Sequence, residues 1–129
     1  MTARHTIRLL LIAAGLVCVV AAIRLASASK RIDHPRDVIE YLLFGWDEAT
    51  EYAPGFSESI FLGVRPGMTE TQVAQRLGAP LAVYRDPARG SIVTYYSRGR
   101  LTDRGYWLRW VEYDSTGRVT ALRREFYSD

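Results

Sequence analysis

Residues 64–80, VRPGMTETQVAQRLGAP, specify a helix at both of its ends. Thr69 is a strong N-cap, because its side-chain oxygen can accept from one of the N–H groups that a helix start leaves without a partner. Gln72 stands three residues later, which makes a Thr-x-x-Gln capping box. Met68 and Val73 occupy the two positions of a hydrophobic staple, and Val73 and Leu77 share one face. Gly78 suits the left-handed position just past the helix, and Pro80 prevents continuation. Beyond Pro80 the apolar period changes from 3.6 to about 2. A helix followed by successive strands confines the chain to the α+β class. The length of 129 residues also excludes a TIM barrel, which takes about 250.

The strands follow from the same period. Residues 81–84 suit a short strand, and 85–90 a turn. Residues 91–96 (SIVTYY) and 106–113 (YWLRWVEY) are rich in β-branched and aromatic side chains. Residues 97–105 read as a polar loop. Asp114-Ser115-Thr116-Gly117 is a hairpin loop, with Gly117 supplying a positive φ. Residues 118–127 return as the last strand. Val119 and Ala121 share one parity there and Leu122 and Phe126 the other, so a bulge near Ala121 is required.

Upstream, Pro35 and Asp37 fit the first turn of a helix over 35–46, PRDVIEYLLFGW, with Gly45 as a stop. Val38, Tyr41, Leu42 and Trp46 lie near one face. This segment is too apolar to stand free. Residues 47–59 form an acidic loop around Pro54-Gly55, and 59–64 suit a helical turn. The expected architecture is a two-layer ααβββ domain over residues 35–129. Its helices lie on a three-stranded antiparallel meander, behind an N-terminal signal or anchor helix.

That leader is residues 1–28. Residues 9–23, LLLIAAGLVCVVAAI, carry no charge and follow Arg4 and Arg8. Ala26-Ser27-Ala28 has the small-x-small form of a signal-peptidase site. Arg8 and Arg24 can snorkel and stretch the usable span to about 20 residues, so a cleaved signal and an uncleaved anchor both fit. The order of charged, apolar and small-residue regions favours export. Cys18 lies inside the apolar run, with Gly15 and Val17 where a lipoprotein signal has Leu and a small residue. It reads as a small hydrophobe. Residues 29–34 are a polar linker.

Three of the 17 basic residues and none of the 14 acidic ones lie in the first 28. The rest of the chain is electrically neutral, so the overall +3 is no signature of nucleic-acid binding.

Gly67-Met68-Thr69, Gln72-Val73 and Leu77-Gly78-Ala79-Pro80, followed by strands that end in Tyr113-Asp114-Ser115-Thr116-Gly117-Arg118-Val119, resemble the SmpA/OmlA (BamE-like) family of small envelope proteins. The likeness covers roughly residues 64–126. It implies an ααβββ unit over 60–129, with 35–59 as an added helix and acidic loop. It also implies a place on the periplasmic side of the cell envelope and a non-catalytic role. Family members act as accessory factors of a larger complex such as the outer-membrane barrel-assembly machine, or contact phospholipid. In this reading Gly67, Met68, Thr69, Gln72, Val73, Gly78 and Pro80 are structural.

Catalytic chemistry finds little material. The two histidines, His5 and His34, lie in the leader and the linker, and one cysteine excludes an internal disulfide or a Cys-based zinc site. Residues 55–59, GFSES, lack the final glycine of a nucleophile elbow. Asp47, Glu48 and Glu51 read as a solvated acidic turn. No enzyme activity, cofactor or metal is expected. A periplasmic inhibitor or ligand-binding module on the same scaffold is the alternative to an assembly factor. A closed apolar cleft would favour it, and a flat exposed aromatic patch would favour the assembly factor.

Such a patch has a candidate. On 106–113 one parity carries Tyr106, Leu108, Trp110 and Glu112, the other Trp107, Arg109, Val111 and Tyr113. The family likeness puts the second set toward the capped helix. Tyr106, Leu108 and Trp110 then face a partner, bordered by Arg98, Arg100 and Arg104, for which anionic lipid headgroups are a better match than nucleic acid. The rival is that 35–46 folds back over them and makes them core.

Overall fold

The computed structural model describes residues 3–29, 33, 35–45, 48–100 and 104–128. His34, Trp46, Asp47, residues 30–32 of the linker and residues 101–103 of the arginine loop lie outside the described residues.

Four helices and six strands follow in the order α1 (Ala3–Ser29), α2 (Pro35–Phe44), β1 (Thr50–Tyr52), α3 (Glu58–Phe61), α4 (Glu70–Leu77), β2 (Ala82–Asp86), β3 (Ser91–Tyr95), β4 (Ser97–Gly99), β5 (Tyr106–Tyr113) and β6 (Val119–Tyr127). The chain is α+β, with an apolar N-terminal helix. The expected three-stranded meander is corrected to an antiparallel four-stranded sheet, β2-β3-β5-β6. A second, two-stranded pairing joins β1 to β4. Both strands of that ribbon lie in segments read as loops. Three residues are too few to show a period of 2. What holds them is tertiary: the Trp107 N–H donates to the Thr50 hydroxyl, and the Ser97 hydroxyl donates to the Trp107 carbonyl.

The capping chemistry forms as expected. The Gln72 N–H donates to the Thr69 hydroxyl at 3.2 Å, and the Thr69 N–H donates to the Gln72 side-chain oxygen at 2.9 Å. Thr69→Ala is expected to lower stability by about 1 kcal/mol, read as a shift in urea midpoint at unchanged slope. Gly78 departs from the expected left-handed cap. Its φ of 79° and ψ of −168° lie in a region that is essentially glycine's alone. A Cβ there would meet the Pro54 carbonyl only in ordinary contact, at 3.4 Å, so it is the backbone conformation that calls for glycine.

Between β5 and β6 the register slips where the alternation requires it. Glu112 faces Ala121 and Tyr113 faces Val119, so Thr120 is the extra residue. The bulge brings Val119, Leu122 and Phe126 to one face.

All helices in contact with the sheet use that inner face. Val73 and Leu77 of α4 and Phe61 of α3 join Ile92, Tyr96, Val111, Tyr113 and Val119 in the main core. Val38 and Tyr41 of α2 pack on Trp107 and Phe126 in a second cluster. The rings of Tyr41, Trp107 and Phe126 lie 4.8–5.3 Å apart. Helix α2 in turn lies against α1.

Candidate functional site

Residues directly opposite in an antiparallel pair share a face. Tyr106 pairs with Tyr127, Trp110 with Tyr95, and Tyr84 with Val93. The outer face of the sheet therefore carries Tyr84, Tyr95, Tyr106, Leu108, Trp110 and Tyr127. Among the described helices none packs on it. The rival expectation, that residues 35–46 cover this face, is overturned, because α2 sits on Trp107 and Phe126 on the opposite side. The parity of β5 decides this: Trp107, Arg109, Val111 and Tyr113 are buried, and Tyr106, Leu108, Trp110 and Glu112 are half-buried.

The outer face is ordered by its own contacts. The Tyr95 and Trp110 rings are 5.9 Å apart and those of Tyr106 and Tyr127 are 5.2 Å apart. The Trp110 indole N–H donates to Glu112 at 3.1 Å, and Glu112 also accepts from Arg123 at 3.1 Å. Tyr84 is 61% exposed. The result is an aromatic surface with the Arg123–Glu112 ion pair and Glu125, opposite Leu108, at its β6 side.

The arginine border is only partly a positive fringe. Gly99 is pressed against the Tyr106 ring, which sets Arg98 and Arg100 beside that end of the face. Arg98 donates to Glu51 at 2.7 Å, and that bond is the main reason the Glu51 carboxyl is held below its usual range. Arg100 and Arg104 are exposed. Glu48 and Glu51 sit on the neighbouring strand segment, so the acidic loop largely offsets the arginines.

On the inner face Arg109 is 1% exposed. Its guanidinium meets Glu58 at 3.0 Å, donates to the Leu108 carbonyl at 2.9 Å, and lies 5.1 Å from the centre of the Trp107 ring. Tyr52, Phe56, Glu58 and Arg109 line an open cleft of about 320 Å³. A second cleft of about 230 Å³ lies between α4 and the sheet, with Tyr96 and Tyr113 among its lining residues. Burial pushes the Tyr96 hydroxyl up to about 12 and raises that of Tyr113. Both are therefore neutral phenols at pH 7 rather than bases or nucleophiles. These clefts fall at or below the small end of the range for ligand pockets.

The residues that carry the family resemblance meet in space. Gly67 (φ 86°) donates to Val119, Val119 donates to Met68, the Glu70 N–H donates to Gly117, and the Arg118 guanidinium donates to the Gly67 carbonyl. The Asp114 carboxylate accepts from Thr116 and Arg118 and is held below its usual range by those bonds. Met68 packs against the core that contains Val73, and Pro80 lines the smaller cleft. The motif thus straps the start of α4 to the β5–β6 hairpin. A search of protein-family models finds no match to this chain, and a search of curated proteins finds none either.

Sequence reasoning missed Tyr84, Tyr95 and Tyr127 as members of the outer face. The parity of 91–95 puts Tyr95 with Val93, but strand pairing is needed to bring it beside Trp110. It also missed the Arg109–Glu58 pair, whose partners lie 51 residues apart.

Proposed function

We propose that this protein is a non-enzymatic accessory factor of the cell envelope, of the SmpA/OmlA type, that acts by capturing a protein partner on the outer face of its sheet. One observation carries the reading: six large aromatic or aliphatic side chains share a sheet face that no described helix covers. Monomers rarely leave a contiguous apolar patch of this kind without a use. Tyr and Trp are also the residue types enriched at interfaces. Helix α1 supports an envelope location. It is long and apolar enough over His5–Ser27 to cross a membrane, and it lies at the N-terminus as a signal or anchor would. In this reading the domain stands on the periplasmic side, held by α1 or released by cleavage near Ala28. Its partner belongs to an envelope protein complex, the barrel-assembly machine being the candidate that the resemblance suggests. Anionic phospholipid is a weaker match, because acids sit among the arginines.

The test is a photocrosslinking side chain at Leu108 in the full chain, in cells, with Arg89 as an exposed control. A crosslink to an envelope protein from position 108 alone is expected. Trp110→Ala should abolish it, at a loss in binding of about 2 kcal/mol or more. Equal products from 108 and 89 would end the proposal.

A further inference from the structure

We propose that α2 is a membrane-seated helix, held against α1 with its Ile39–Leu43 side in contact with bilayer lipid. This rests on the reading of α1 as a retained anchor and goes beyond the sheet-face function. Helices α1 and α2 form an open apolar groove of about 410 Å³, lined by Leu16, Val17, Val20, Ala21, Arg24 and Leu42. Leu16 is the midpoint of the uncharged run 9–23. At 1.5 Å per residue, Ala21 lies only about 8 Å along the axis from that midpoint, within the roughly 15 Å half-thickness of a bilayer's hydrocarbon core. The groove therefore opens at the depth of the acyl chains, and Leu42 forms its α2 wall.

The rest of α2 is built for that position. Ile39 and Leu43 are 60% and 63% exposed and flank Leu42, so they continue the bare apolar surface of α1. Within α2 itself the charges sit toward its start. Arg36, Asp37 and Glu40 lie in the first two turns, with Arg36 paired to Glu40 at 3.4 Å. Arg24 lies 5.6 Å from the Tyr41 ring and Leu42 shares the groove with Leu16 to Ala21, so α2 runs back along α1 from its charged start. A helix with its charges at the headgroup level and Leu and Ile below them can seat beside a membrane-spanning helix. The opposite side of α2 holds Val38 and Tyr41 against Trp107 and Phe126, which ties the sheet domain to the membrane surface.

The experiment places an environment-sensitive NBD fluorophore on a single cysteine of the full chain, reconstituted in phosphatidylcholine vesicles containing a minority of phosphatidylglycerol. Leu43→Cys and Ile39→Cys are made in a Cys18→Ser background, with Tyr84→Cys as the aqueous reference and native Cys18 as the buried one. The proposal expects probes at 43 and 39 to be quenched several-fold more by lipids spin-labelled along the acyl chain than the probe at 84, and to be shielded from aqueous iodide. Iodide access at 43 and 39 equal to that at 84 would overturn it. So would recovery from cells of a mature chain that begins at Ser29, because the groove then no longer exists. Neither result touches the Leu108 crosslink, which tests the sheet face separately.

Discussion

Trp107→Ala is expected to lower the free energy of unfolding by about 3–5 kcal/mol, and Trp110→Ala by only about 1. The two indoles are three residues apart on β5 and point to opposite sides of the sheet. Trp107 is fully buried, lies within 5.0 Å of Phe126 and 4.8 Å of Tyr41, and supports the Arg109 guanidinium. Truncation leaves a cavity that this ring cluster cannot close, since Gly105 is already pressed onto Phe126. Trp110 is half-buried, so its removal gives up the contact with Tyr95 and a bond to Glu112 while water fills the space. Urea titration of the full chain in detergent micelles, followed by circular dichroism, measures both. Equal losses would mean that the outer face is covered and would remove the basis for partner capture.

Glu58→Ala is expected to cost about 2–3 kcal/mol, because it strips the counterion from a guanidinium that the fold holds out of water. Glu58 is itself 34% exposed, and this solvent contact is why the value sits below that for a fully buried pair. The double variant Glu58→Ala/Arg109→Met should recover most of the loss, since no charge is then left buried and the Met side chain fills the same space beside Trp107. The same urea titration reads both. A single variant as stable as the parent would show that Arg109 is solvated once Glu58 is gone. The pair joins α3 to β5 across the gap between the two apolar clusters, so its loss should also loosen the cleft near Tyr52 and Phe56.

Local chemistry was enough for the elements whose signals are complete within a few residues. The Thr69–Gln72 box, the stop after Leu77, the β5 strand, the Asp114–Gly117 turn and the bulge beside Ala121 are each dictated by caps, positive φ or parity, and each forms where those rules put it. The apolar run that makes α1 is equally self-contained. Tertiary structure decided the remainder. The β1–β4 ribbon exists because Thr50 and Ser97 bond to Trp107 from opposite sides in sequence, and no local period announces a three-residue strand. The cap geometry at Gly78, with its ψ of −168°, is likewise not given by the local signal. The side on which α2 lies could not be read from its composition, because both faces of β5 are rich in aromatic residues. It was settled by the Tyr41, Trp107 and Phe126 rings fitting together on the inner face. That choice is what leaves Tyr106, Leu108 and Trp110 without a covering helix among the described residues, and it depends on contacts between residues more than 60 positions apart, which pairing and packing create and no short stretch of sequence encodes.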